Sequence, residues 1–340
     1  MNNFESPSNE TPKNIMVTGG GGFIGRHLIR KLIDSGFHVV GFDFSEQFSI
    51  NPQFFEPFSK TGRLTLVAGT ILDHMHLQHH MRECDTVFHL AAMLGVKRTE
   101  ENRLACMEIN TRGTDIVLNS CALNRINRVI FASSSEVYGE PLTNPVRETA
   151  ILQGKTVYAV SKLAAEELVK GYNQIFPWLN YTIVRFFNTY GEGQVAQFVL
   201  PRFVRMVLEG KNPVVYGEGS QLRSYGHVDD ITDGLIQILK TPVTQNQTYN
   251  LGNSNEVYRL DELARKVIDT LAPDSDLKVD VLGRFDDSDR SPEREIYFRC
   301  CDTSKAARDF GYHPKITVEE GIRRIATYGK ISEAWPAAVR

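Results

Sequence analysis

A glycine-rich turn between an apolar strand and an amphipathic helix constrains this chain more than any other feature. Ile15-Met16-Val17 is a short apolar run, followed by Thr18-Gly19-Gly20-Gly21-Gly22-Phe23-Ile24-Gly25. Phe23, Ile24, Leu28, Ile29, Leu32 and Ile33 then recur at helical spacing until Gly36 stops the pattern. Strand-like runs come next at 37–42, 64–67, 87–90, 129–132 and 182–186, with helical candidates at 103–123 and 157–176. Strands alternating with helices predict a parallel sheet covered on both faces, a doubly wound Rossmann α/β fold.

Gly19, Gly22 and Gly25 have the spacing GxxGxxG. Glycines there permit a tight turn and close backbone approach to a pyrophosphate, and the following helix directs its N–H groups and positive dipole end at it. Phe23 and Ile24 belong to the same loop. Asp43 closes the second strand, 18 residues beyond Gly25, where a carboxylate can accept bonds from the adenosine ribose hydroxyls. The residues after it, Phe44-Ser45-Glu46-Gln47, carry no cation for a 2′-phosphate, so NAD is expected and NADP is not. Gly69-Thr70-Ile71-Leu72-Asp73 falls where adenine would lie, and His89-Leu90-Ala91-Ala92 falls beside the expected pyrophosphate and nicotinamide ribose. His89 is read as a packing and hydrogen-bonding residue.

Length and composition set the outer bounds. The chain has 340 residues, 38 Lys+Arg against 41 Asp+Glu, and a net charge of −3. A nucleic-acid binder would need a basic face, and no apolar run reaches the roughly 18 residues of a membrane span. Neither partner is expected. The five cysteines are an odd count with no CxxC knuckle, so neither a disulfide framework nor a metal centre is predicted. Cys300 and Cys301 read as two small buried hydrophobes. Residues 1–13 are polar and read as a disordered tail, which with the cysteine usage points to the cytoplasm. Residues 14–187 form the expected cofactor domain. From 188 to 340 proline and glycine become frequent, suggesting a smaller substrate-binding lobe with segments returning to the large sheet.

Tyr158 and Lys162 form a YxxxK pair on a predicted helix, one turn apart on one face. A phenol titrates near 10 and is a poor base at neutral pH unless a cation lowers its pKa. Lys162 and a nicotinamide cation supply that. Tyr158 would then take a proton from a substrate hydroxyl while the attached carbon gives hydride to NAD. The preceding strand ends in Ser133-Ser134-Ser135, and Ser135 is the expected hydroxyl that orients the reacting oxygen.

These residues, with HLAA, Asn110-Thr111-Arg112-Gly113-Thr114, SSSEVYG, YAVSK, RFFNTYG, VYGEGSQLRSYGHVDD, YNLGN and GYHPKITVEEG, resemble the extended short-chain dehydrogenase/reductase family. The likeness is to its nucleotide-sugar epimerase, dehydratase and decarboxylase branch and runs nearly end to end. It implies tightly held NAD, a nucleoside-diphosphate sugar as substrate, and a homodimer built from the helices at 103–123 and 157–176. It implies Ser135, Tyr158 and Lys162 as catalytic triad and Asn110 as a structural or proton-relay residue. Asn188 and Arg223 would contact the diphosphate, and Tyr216 the base. The family's second arginine corresponds to Arg290 or Arg294. The acidic residue usual in the adenine loop is Thr70 here, with Asp73 nearby.

Branch members oxidise the sugar at C4 and differ in the fate of the 4-oxo sugar. The segments HLAAMLGVKR and YAVSKLAAEE resemble UDP-sugar 4-epimerases, which is the expected activity. Ser135-Glu136 keeps decarboxylation of UDP-glucuronate, or dehydration, as the alternative, with Glu136 in an acid/base role. Lys97 and Arg98 are candidates for pairing with a sugar carboxylate. A non-catalytic NAD-sensing module is the alternative of another class; loss of Tyr or Lys from the YxxxK pair would mark it, and both are present.

Overall fold

Along the first strand, β1 (Asn14–Thr18), Ile15 and Val17 face one side and Met16 the other, and all three are fully buried. Burial on both faces is what a central parallel strand requires. The computed structural model describes residues 13–50, 52–283, 294–329 and 331. The expected tail therefore lies outside the described residues, Lys13 excepted.

Strands β2 (His38–Asp43), β3 (Leu64–Ala68), β4 (Thr86–His89), β5 (Arg128–Ser134) and β6 (Asn180–Phe186) join β1 in a parallel sheet. A seventh strand, Gln247–Leu251, returns from the C-terminal half and pairs with β6. The order is Gln247–Leu251, β6, β5, β4, β1, β2, β3. It reverses between β1 and β4, which opens a crevice at their carboxyl ends.

Helices α1 (Phe23–Asp34), α2 (Ser45–Ile50), α3 (His74–Met81), α4 (Val96–Glu101), α5 (Arg103–Met107), α6 (Gly113–Leu123) and α7 (Val157–Ile175) fill the connections. On one sheet face Leu28, Ile29 and Leu32 of α1 pack with Leu235 and Ile238 from helix Val228–Lys240. On the other, Leu77, Val117, Leu118, Ala165 and Val169 bring α3, α6 and α7 onto Met16, Val87, Val129 and Phe131. Fully burying each such aliphatic or aromatic side chain stabilises the layers by roughly 1.5–3 kcal/mol.

The helix expected over 103–123 is not continuous. A π-helical turn, Glu108–Arg112, separates α5 from α6. The wide turn carries Asn110, which grips Met93 after β4: its Oδ1 accepts the Met93 amide at 2.7 Å and its Nδ2 donates to the Met93 carbonyl at 2.9 Å.

Beyond β6 a three-stranded sheet has Leu222–Ser224 at its centre, antiparallel to Val257–Arg259 and parallel to Phe298–Arg299. Behind it Leu200, Phe203, Leu263, Val267 and Ile322 form a separate core. All five cysteines are buried and free. No described helix is long and apolar enough to cross a membrane.

Candidate active site

The glycine loop is built by exclusion of side chains. Gly19 has φ +73°, and a Cβ there would stand 2.7 Å from the Ala91 nitrogen. At Gly25 a Cβ would stand 2.1 Å from the Gly19 oxygen. The first glycine thus admits the Leu90-Ala91-Ala92 backbone at the end of β4, and the last lets α1 start against the turn. Gly22 caps α1 with no side-chain bond. The N–H groups of Phe23 and Ile24, opening the helix, have no acceptor within it and carry its positive end.

Asp43, at the tip of β2, accepts the Gly21 amide at 3.0 Å and the Phe44 amide at 2.8 Å. Burial raises its carboxyl to about 6. Ile71 is buried against Gly113, where a Cβ would meet it at 2.5 Å. Thr70 turns its hydroxyl back onto the Leu72 amide, and Asp73 caps α3 by accepting the His76 amide at 3.1 Å. These residues fit an adenine dinucleotide: a cradle only glycine can line, an uncapped helix start and one buried carboxylate at the end of β2.

His89 is fully buried in a hydrogen-bonded chain. The Thr18 hydroxyl pairs with its Nδ1 at 2.8 Å and the Thr114 hydroxyl with its Nε2 at 3.0 Å. Thr114 donates onward to the Asn110 carbonyl at 2.6 Å, which assigns the ring proton to Nε2. Burial holds its pKa down at about 3. The ring is neutral, and both its nitrogens are occupied.

The Thr156 side chain caps α7 by accepting the Ala159 amide at 3.1 Å, which sets Tyr158 and Lys162 on the face toward β5. The Lys162 Nζ donates to the Ala132 carbonyl at 2.8 Å and lies 4.9 Å from the Phe131 ring centre. Burial lowers it to about 8. The Tyr158 phenol is pushed up by burial and by the Glu136 charge, while a bond from Ser134 and the Arg299 charge act against that rise. Glu136 is held in place by the Thr156 hydroxyl, which donates to it at 3.2 Å.

Of the three serines it is Ser134 whose hydroxyl acts on the Tyr158 phenol, where Ser135 was expected; its oxygen also accepts the Glu136 amide at 3.2 Å. Ser135 is buried and begins the turn Ser135–Tyr138. Three consecutive serines cannot be ranked by residue type; the direction of the strand end decides, and Ser134 is the last residue of β5.

On the side of the C-terminal strands Arg223 is buried, donating to Glu295 at 3.0 Å and to the carbonyls of Leu222, Ile296 and Tyr297. Asn188, half-buried after β6, accepts the Gly226 amide with its carbonyl at 3.0 Å. Tyr216 is half-buried under the Arg202 guanidinium, 5.1 Å from its ring centre. Arg294 pairs with Glu100 of α4. Arg290 lies outside the described residues. Lys97 is exposed and Arg98 half-buried. Among the described residues no group of three or more His, Cys, Asp or Glu is placed to hold a metal ion.

Two features are not foreshadowed by the sequence motifs. Arg299 is buried, only 3 % exposed, and acts electrostatically on Tyr158; a lone cation in the apolar stretch Ile296-Tyr297-Phe298-Arg299-Cys300-Cys301 is the one signal of it. The second is a buried network behind α7. Arg185 of β6 holds Glu166 of α7 through two bonds, at 3.0 and 2.7 Å, and also donates to the Tyr138 hydroxyl at 3.0 Å. Tyr138 in turn donates to Asn250 at 2.7 Å.

The family described as GDP-mannose 4,6-dehydratase matches residues 16–325. A UDP-N-acetyl-α-D-glucosaminuronate decarboxylase of Bacillus cytotoxicus is 34% identical over 92% of this chain and 96% of its own length. The structure of UDP-glucuronic acid 4-epimerase from Bacillus cereus, with UDP-glucuronic acid and NAD, has a TM-score of 0.81 and 26% identity, covering 93% of this chain and 98% of that one. A UDP-N-acetylglucosamine 4-epimerase from Methanobrevibacter ruminantium, in complex with UDP-N-acetylmuramic acid, has a TM-score of 0.82 and 28% identity, covering 94% and 98%. A glycine cradle, a carboxylate closing the second strand and a Tyr–Lys pair on one helix face, matched over nearly the whole length, place this chain in the GDP-mannose 4,6-dehydratase family, among the NAD-dependent nucleotide-sugar epimerases, dehydratases and decarboxylases of the extended short-chain dehydrogenase/reductases.

Proposed function

We propose that this chain oxidises a UDP-sugar at C4 and returns the hydride to the 4-oxo intermediate, the reaction of a 4-epimerase. The observation that carries the reading is Tyr158, on one helix face with Lys162 and with the Ser134 hydroxyl, at the carboxyl end of β5, acting on its phenol. Bound NAD supplies the hydride acceptor and donor. Tyr158 takes the proton of the C4 hydroxyl, and Lys162, carrying its charge beside the ring, favours the phenolate. Ser134 holds the reacting oxygen, with Ser135 behind it. Phe23, Ile24 and the Leu90-Ala91-Ala92 backbone line the dinucleotide, Asp43 takes its ribose, and Ile71 borders the adenine. Asn188, Arg223 and Tyr216 form the nucleotide side of the sugar site, with residues from 188 onward supplying most of that lobe. The second arginine is Arg290 or Arg294, of which Arg294 pairs with Glu100.

A second reading, decarboxylation of a UDP-uronate, is favoured by Glu136 and Arg299. Both act electrostatically on the Tyr158 phenol, Glu136 raising its pKa and Arg299 lowering it. A buried guanidinium suits a sugar carboxylate. Oxidation at C4 makes a uronate a β-keto acid, which loses CO2 and takes up a proton in its place. The exposed Leu104, Leu123, Val160 and Ile175 on α5, α6 and α7 support a homodimer through these helices, and a cytoplasmic location fits five free cysteines. Incubation with UDP-glucose, UDP-glucuronate and their N-acetyl counterparts, followed by proton NMR of the products, tests both readings. An epimer supports the first and a UDP-pentose with CO2 the second. Absence of any product and of the near-ultraviolet band of bound NADH would overturn both.

A further inference from the structure

The buried network behind α7 is not part of the chemistry above, yet it touches the helix of Tyr158 and Lys162, the strand that ends in Ser134 and the turn that carries Glu136. Glu166 stands one turn beyond Lys162 on α7, so Tyr158, Lys162 and Glu166 occupy one helix face at i, i+4 and i+8. Its carboxylate is fully buried. The Ser133 hydroxyl donates to it at 2.5 Å, beside the two serines at the end of β5. Arg185 holds both of its oxygens from β6 and passes a third bond to Tyr138. Tyr138 ends the short turn that begins with Ser135 and Glu136, and Asn250 fixes it from the seventh strand. Asn250 is itself fastened to the Val146 carbonyl at 2.9 Å, and its amide donates to Glu148 at 2.9 Å.

We propose that Glu166 is a positioning residue for the Tyr158–Lys162 pair, locking α7 to β5 through Ser133 and, through Arg185 and Tyr138, to the turn that carries Ser135 and Glu136. A carboxylate without its hydrogen-bond partners is too costly to bury, and here each oxygen has at least one. The same charge acts on Lys162. The groups around that ammonium are Cys106 of α5, His89 of β4, the Phe131 ring and Ala132 carbonyl of β5, and Tyr158 and Glu166 of α7. His89 is neutral and burial lifts the Cys106 thiol, which leaves Glu166 as the standing negative charge that favours the protonated lysine. Burial works the other way. Glu166 therefore serves both the place of the lysine and its charge.

This inference rests on the proposed roles of Tyr158 and Lys162, and its test needs no turnover. The NAD-loaded protein, labelled with carbon-13 at the lysine ε position, gives a Lys162 signal identified by its loss in K162M. E166Q leaves Arg185 as an uncompensated buried cation and is at risk of not folding. E166Q/R185M removes both charges, a replacement that buried pairs commonly tolerate. In the folded double variant the Lys162 titration is expected to move to lower pH by about one unit, because Glu166 acts directly on the ammonium and Arg185 is not among the groups that do. E166D, which keeps the charge, is expected to stay within about half that shift. A folded E166Q/R185M protein whose Lys162 titrates as in the wild type would overturn the proposal. A shifted Lys162 in a protein whose wild type turns over no UDP-sugar would overturn the proposed function and leave this role standing.

Discussion

The Asp43 carboxylate accepts the Gly21 amide at 3.0 Å, so the residue proposed to take the ribose also braces the glycine turn. Burial raises this carboxyl to about 6, whereas in the unfolded chain it would titrate near 3.9. The folded protein thus binds this proton more tightly, and the group's contribution to stability falls as pH rises from about 4 to about 6. Affinity for NAD runs the opposite way, because only the carboxylate can accept both ribose hydroxyls. The dissociation constant for NAD, measured by calorimetry, is expected to be about tenfold weaker at pH 5 than at pH 7, since one unit below the pKa is worth 1.36 kcal/mol. In Asp43→Asn the affinity should be weak at both pH values. A wild-type dissociation constant that does not change between them would sink the assignment.

Gly25→Ala puts a methyl 2.1 Å from the Gly19 oxygen, and neither α1 nor the turn can yield without disturbing the other. Overpacking of this kind costs about 1–3 kcal/mol. The purified variant is expected to melt at a lower temperature and to carry no NAD after gel filtration. Gly62→Ala is the control: its φ is also positive, but no atom lies within 4 Å of the added methyl. It should lose stability from backbone strain and keep its cofactor.

Tyr158→Phe is expected to reduce kcat by about 10²–10⁴ while NAD remains bound, the usual loss when a positioned proton acceptor is removed. Ser134→Ala should cost about 10²–10³ in kcat, as removal of an aimed donor does, and Ser135→Ala less. The reverse order of the two serine variants would return the orienting role to Ser135. In the protein without substrate Lys162 loses its proton near pH 8. The alkaline limb of the kcat/KM profile should accordingly fall through that region.

His89 makes acid stability a sensitive readout of the sheet. Its folded pKa of about 3 lies below the unfolded value near 6.5, so the unfolded chain takes up the proton first. The stability tied to the neutral ring is complete above pH 6.5 and is lost as pH falls toward 3. In His89→Leu that part of the acid dependence should vanish. The variant should also be less stable at pH 7 by about 1–3 kcal/mol for the Thr18 hydroxyl left without its acceptor, while Thr114 keeps its bond to the Asn110 carbonyl. Urea unfolding at pH 5 and pH 7 measures both effects, and equal acid sensitivity in the two proteins would refute the account.

The cofactor half was legible in the sequence because its chemistry is local. A strand, three glycines and a helix succeed one another within a dozen residues, and Asp43 ends the next strand. The YxxxK pair is likewise contained in one helical turn. What the chain order hid are the residues that meet only after folding. Ser134 and Ser135 differ by direction, not type. Arg299 reaches Tyr158 from a strand 141 positions later, and the Glu166–Arg185–Tyr138–Asn250 chain joins four separate segments. The π turn at Asn110 was invisible for a related reason: its purpose, holding Met93, lies outside the helix.

Arg223 and Arg299 are Cα partners on neighbouring parallel strands, and both are buried. Strand spacing, about 4.8 Å, therefore sets the distance between their anchor points, and packing leaves little room for either arm to swing. Because Arg223 is also fastened to Glu295 and to the carbonyls of Leu222, Ile296 and Tyr297, the two cations ride on one small sheet, and a shift of that sheet would carry both together.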